Sequence, residues 1–272
     1  METLVTMDGG ETARAVWIDR GLLYAGGQDN KLHVVDLATH AELKSWEVPW
    51  LISDIAVVGD RVFASLGPGD LVTWEERALS GAGAVRHVDA NAPKFATDGD
   101  TLFWGTAWGE VRERGRGLVA SISKGLGSIS VDAEHIYAGY EDGKLRIFRR
   151  SDGNRVKIIN VGSRLARAAT GRGVLVTVAN RTGEVTRWRL PDCVSEQRFV
   201  FDVSGASWGV IGVDVVGTRI VLHSYEELAI FEADGSRVFT WHPSGENRIE
   251  DVWYDGTHAL MAVGPSVVRV AV

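Results

Sequence analysis

LLYAGGQDNKLHVVDLATHAELKSWEV, residues 22–48, decides the fold. It contains three short runs, LLYAGG, KLHVV and ELKSWEV, each too brief for a stable helix and separated from the next by polar turn residues. A tight-turn pair, Arg20-Gly21, stands before the first run. The runs read as the second, third and fourth strands of an antiparallel meander.

The same pattern recurs along the chain. The first apolar residue of the third strand is Leu32 in NKLHVV, Leu71 in GDLVTW, Val111 in GEVRER, Leu145 in GKLRIF, Val185 in GEVTRW, Leu228 in EELAIF and Val268 in SVVRVA, at steps of 39, 40, 34, 40, 43 and 40 residues. Upstream of each anchor lies a turn signal, Gly59-Asp60, Gly99-Asp100, Asp132-Ala133, Gly171-Arg172, Gly217-Thr218 and Asp255-Gly256 in the later units. The intervening segments RVFASLG, TLFWGTA, HIYAGY, VLVTVA, RIVLHS and ALMAVG are second strands, and Ser151-Asp152-Gly153 and Ala233-Asp234-Gly235 turn toward fourth strands such as RVFTW.

Four strands per unit and a period near forty residues predict an all-β, seven-bladed β-propeller with four-stranded antiparallel blades. A lone four-stranded sheet cannot bury both faces, so each blade must stack on its neighbours. The expected single domain covers residues 1–272, with blades near 11–48, 49–80, 92–123, 127–160, 165–200, 207–242 and 247–272. The last unit stops after its third strand, whereas Glu2–Asp8 alternates like a strand and has no unit of its own. Residues 1–10 are therefore expected to supply the N-terminal strand that closes the last blade.

On these residues the chain resembles the WD-repeat and quinoprotein-like β-propeller superfamily, as a divergent member. The third strands end in Val35-Asp36, Trp74-Glu75, Phe148-Arg149, Trp188-Arg189 and Phe231-Glu232 where WD repeats have Trp-Asp. KLHVVDLATHAELKSW is similar to the quinone-cofactor repeat, but His40 stands where that repeat has Gly and Trp46 falls two residues late, so no cofactor is implied. The resemblance is architectural and covers essentially the whole chain.

Composition narrows the remaining classes. Of 272 residues, 45% are apolar and 24% charged, which suits a buried core rather than disorder. METLVTMDGGETAR lacks a basic stretch followed by an apolar run, and no eighteen apolar residues are consecutive, so a cytoplasmic protein without membrane association is expected. Cys193 is the sole cysteine and cannot form an internal disulfide or a multi-cysteine zinc site. No Walker loop, HExxH, GxSxG or paired-His spacing is present, so no catalytic residue, metal or cofactor is assigned and an enzyme is disfavoured.

Two constellations carry the binding expectations. At the starts of the innermost strands stand Arg14, Ser53, Lys94, Ser128, Arg167, Trp208 and Arg248. The basic members would form a positive channel mouth suited to a carboxylate or phosphate unless Asp54, Glu250 and Asp251 pair with them. Trp50 and Trp208 lie in loops entering blades, where ligand or partner contact is expected, whereas Trp74, Trp188 and Trp241 fit blade packing. The second constellation is residues 144–189, with twelve Lys/Arg and two acids, a net +10 against −17 for the remainder and −7 for the whole chain. Its candidate binding residues are Arg146, Arg149, Arg150, Arg155, Lys157, Arg164, Arg187 and Arg189.

The favoured reading is a non-catalytic platform docking a partner protein of acidic surface through its top rim and this basic sector. The alternatives are a small-molecule, saccharide-binding or enzymatic propeller using the central channel, and nucleic-acid binding through the basic sector.

Overall fold

The computed structural model describes residues 1–67, 73–78, 84–87, 94–162, 166–203 and 209–272, with the main chain alone at 73–77 and 84–87. The strands are β1 (Glu2–Thr6), β2 (Ala13–Asp19), β3 (Leu22–Gly27), β4 (Lys31–Asp36), β5 (Glu42–Glu47), β6 (Ile52–Val58), β7 (Arg61–Leu66), β8 (Thr73–Ala78) and β9 (Ala84–His87). There follow β10 (Lys94–Thr97), β11 (Leu102–Gly105), β12 (Glu110–Glu113), β13 (Gly117–Ser121), β14 (Leu126–Val131), β15 (His135–Tyr140), β16 (Lys144–Arg149) and β17 (Arg155–Asn160). The rest are β18 (Ala166–Gly171), β19 (Val174–Ala179), β20 (Glu184–Arg189), β21 (Val194–Val200), β22 (Gly212–Val216), β23 (Arg219–His223), β24 (Leu228–Phe231), β25 (Arg237–Trp241), β26 (Ile249–Tyr254), β27 (His258–Val263) and β28 (Ser266–Ala271).

The chain divides into two compact units, Met1–Leu102 with Gly245–Val272, and Phe103–Ser244. The first holds the four-stranded sheets β2–β5, β6–β9 and β1-β28-β27-β26, and the second holds β14–β17, β18–β21 and β22–β25. This corrects the blade count from the expected seven to six. β10–β13 also hydrogen-bond in sequence, but the division between the units falls inside β11, between Leu102 and Phe103, so this sheet is whole in neither. Its strands are only four, four, four and five residues long. The repeat step that leaves this segment is also the shortest, 34 residues from Val111 to Leu145.

The second strands are buried on both faces, with five of the six residues buried in each of β3, β15 and β19. The third-strand anchors Leu32, Val111, Leu145, Val185 and Leu228 are at most 1% exposed and Val268 is 5% exposed, while Leu71 lies outside the described residues. Burying one such side chain contributes about 1.5–3 kcal/mol. β1 pairs antiparallel with β28, Glu2 opposite Arg269 and Thr6 opposite Ser266, so the spare N-terminal segment completes that sheet. β9 lies beyond the expected bounds 49–80 of its blade, and its Ala84–His87 pair with Arg77–Trp74.

Sheets stack through aliphatic side chains. Leu32, Trp46, Ile52, Ile55 and Leu66 form one buried cluster joining β2–β5 to β6–β9. Gly26 makes this approach possible, because a Cβ there would lie 2.5 Å from Ile52 Cδ1. Turns are tied by aspartates. Asp132 Oδ1 accepts the N–H groups of Glu134 and His135 at 2.9 and 2.7 Å, and Asp255 Oδ1 those of Thr257 and His258 at 2.7 Å each. Asp36 Oδ1 does the same for Ala38 and Thr39 at 2.9 and 2.7 Å, and His40 takes the φ of 57° at the place where the quinone-cofactor repeat has Gly. Among the described residues no helix is long and apolar enough to cross a membrane.

Candidate functional site

The first strand of each sheet presents one register position to the neighbouring sheet. Asp251 on β26 accepts the Val16 N–H at 2.9 Å, Asp54 on β6 accepts the Phe95 N–H at 2.8 Å, and Ser128 on β14 accepts the Ala168 N–H at 3.2 Å. The equivalent residues on the receiving strands are Ala15, Lys94 and Arg167, each one residue before the donated amide. On β22 the pairing places Gly212 there, opposite His223 as Ala15 is opposite Gly26. Bulges shift the first unit by one residue, so Arg14 and Ser53 are the extra residues of β2 and β6 rather than the latch residues.

In the first unit acids and cations meet. Burial pushes the Asp251 carboxyl up to about 7, opposed by the Val16 N–H and by Lys94 and reinforced by the Asp54 charge. Burial also raises Asp54, against the pull of Lys94 and the N–H groups of Phe95 and Ile55. Arg14 Nη1 lies 4.0 Å from Glu250 Oε2, and Arg14 and Arg248 both draw the Glu250 pKa down against the larger effect of its burial. Of the four cations expected to line a positive mouth, Arg14, Lys94 and Arg248 therefore each stand within electrostatic reach of an acid, the acids being Asp54, Glu250 and Asp251.

In the second unit Arg167 stands differently. Its Nη1 donates to the Gly127 carbonyl at 2.7 Å, and its buried Nε has no hydrogen-bond acceptor among the described residues. Burial pushes the guanidinium down to about 10, with the Tyr225 side chain partly restoring it.

The basic sector is extensively paired. Arg146, 7% exposed, grips Asp142 with both nitrogens, Nη1–Oδ1 at 2.9 Å and Nη2–Oδ2 at 2.6 Å, above the Tyr140 ring. Arg149 pairs with Asp152 at 2.7 Å, Arg187 bonds Glu196, and Arg189 lies 3.8 Å from the same carboxylate. Arg150 donates to the Asp132 carbonyl at 2.8 Å and covers Phe103, while Lys157 donates to the Asp192 carbonyl at 2.8 Å. Arg155 is exposed on β17, and Arg164 lies outside the described residues. The count over 144–189 places Asp142 and Glu196 just beyond its edges, which is why the sector looks freer in sequence than in space.

The tryptophans divide by exposure. Trp188 Nε1 donates to Thr177 Oγ1 at 2.9 Å within the β18–β21 sheet, consistent with blade packing. Trp50, between β5 and β6, is 51% exposed, and Trp208 lies outside the described residues. Sequence reasoning missed Trp108, 65% exposed in the β11–β12 turn. Its signal was an aromatic residue in the turn Thr106-Ala107-Trp108-Gly109, between two strands whose own apolar positions face the core. That turn is fixed: Gly109 N–H donates to the Thr106 carbonyl at 2.9 Å, and Glu110 N–H to Thr106 Oγ1 at 3.2 Å.

A cleft of about 180 Å³, lined by Asn160, Thr177, Glu184, Thr186, Trp188 and Arg198 among others, lies where β17 ends beside β19–β21. It is smaller than the roughly 300–1,000 Å³ of ordinary ligand pockets. Among the described residues no group of three or more His, Cys, Asp or Glu side chains is placed to hold a metal ion.

No family model matches the chain, and no curated protein does. Solved structures do: 1520 chains match, so the fold is widely shared and does not single out a role. Among them is the computationally designed Ika8 protein, at TM-score 0.73 and 10% identity over 100% of each chain. This likeness shows the β-propeller fold.

Proposed function

We propose that this propeller is a non-catalytic protein-interaction platform that docks a partner through tryptophans held on its loops, with Trp108 as the principal anchor. The carrying observation is the 65% exposure of Trp108 on a turn whose main chain is locked. A large ring held on a fixed backbone loses little entropy on binding, and tryptophan is enriched among residues that dominate interface energies. Trp50 supplies a second exposed ring in the other unit. The resemblance to WD-repeat propellers supports the same reading. The basic sector contributes less than its +10 implies, because Arg146, Arg149 and Arg187 already hold carboxylates. Cross-linking in cells followed by binding of the purified partner tests the proposal. Trp108→Ala should weaken that complex at least about tenfold, and full affinity in both Trp108→Ala and Trp50→Ala would overturn it.

A further inference from the structure

We infer that Arg167 is a binding site for the carboxylate of a ligand, which supplies a counter-charge that the fold provides at the equivalent position of the other unit and omits here. The comparison is between two matched positions. Lys94 on β10 and Arg167 on β18 each follow a strand whose latch residue reaches the next main-chain amide. Before Lys94 that residue is Asp54, whose carboxylate bonds Phe95 N–H at 2.8 Å and feels the Lys94 charge. Before Arg167 it is Ser128, whose hydroxyl accepts from Ala168 N–H at 3.2 Å and donates to the Ala166 carbonyl at 3.1 Å. The amide is satisfied in both cases, but only Lys94 stands within electrostatic reach of a carboxylate.

Among the described residues the Arg167 side chain makes one hydrogen bond, to the Gly127 carbonyl at 2.7 Å, one residue before Ser128 on β14. Its Nε is shut off from water without an acceptor, and among the described residues no carboxylate lies within ion-pair distance. The next strand, β22, offers Gly212 at the equivalent position, and Asp214, two residues further on, accepts the Val215 N–H at 2.7 Å. A part-buried guanidinium holding a single carbonyl can take up an anion, and its planar edge matches a carboxylate in two parallel hydrogen bonds.

The test uses the intact chain and three probes at equal ionic strength: acetate, sulfate and chloride. Acetate should raise the Tm by a few degrees over chloride, with sulfate close to chloride. The acetate effect should vanish in Arg167→Met, and also in Ser128→Asp, which places a carboxylate beside Arg167 as Asp54 is placed beside Lys94. Ser128→Asp keeps the test decisive if Arg167→Met fails to fold. A blocked peptide carrying one glutamate that acts where acetate does not would support the same chemistry with the carboxylate on a partner protein. Absence of any carboxylate effect, an effect that survives in Ser128→Asp, or an equal effect of sulfate would overturn the assignment.

Discussion

Asp251 accepts the Val16 N–H at 2.9 Å, tying β26 to β2 through a side chain whose carboxyl is raised to about 7 by burial. Because the folded state binds this proton more tightly than the unfolded chain, the stability it gives is fully present below about pH 4. It is lost as pH rises through about 7. Thermal unfolding should therefore show the protein weakening between about pH 4 and 7 and levelling off above that, by on the order of 4 kcal/mol from this group. Asp251→Asn, neutral at every pH, should flatten that part of the profile. His33 contributes a smaller slope of the same sign: burial opposes its charge, but hydrogen bonds to Asp29 and Glu42 raise its pKa overall. A profile unchanged by Asp251→Asn would show that the Asp251 proton is not linked to folding.

Gly109 fixes the turn that carries Trp108. It holds φ at 83°, and a Cβ there would fall 2.0 Å from the Ile122 carbonyl oxygen and 2.2 Å from that of Lys124. Gly109→Ala should cost about 2–4 kcal/mol, readable as a lowered midpoint in urea, because neither main-chain oxygen can move aside without disturbing the turn after β13.

Asp142→Ala should cost more than its surface position implies, about 3 kcal/mol, because it strands the buried Arg146 guanidinium without its two hydrogen bonds. The double variant Asp142→Ala with Arg146→Met should recover much of that loss. Equal destabilisation in single and double variants would show that the pair matters through packing rather than charge.

The period of third-strand anchors was legible because each described anchor is a buried aliphatic residue, and Asp-containing turns mark the strand ends. The N-terminal pairing with β28 followed from a third strand left without a partner. The blade count was not legible: seven anchors exist in the sequence, but nothing in the step from Val111 to Leu145 says that the division between the units falls inside β11. β9 was hidden because Ala84–His87 is brief and flanked by Gly and Asp. At the candidate sites, residue type was readable but partnership was not. Arg146 and Arg167 look alike in a charge count, yet one holds a carboxylate four residues upstream and the other has only a carbonyl. Trp108 escaped notice because turn residues are usually read for their backbone geometry rather than for the ring they present.

The most direct test of the interaction platform is the affinity of the purified partner for the wild-type chain and for Trp108→Ala, measured by calorimetry beside thermal unfolding of both. The expected result is at least an approximately tenfold loss of affinity with the variant still folding cooperatively, since the turn that carries the ring is held by Thr106 and Gly109. Unchanged affinity in Trp108→Ala would contradict the role of Trp108 as the principal anchor.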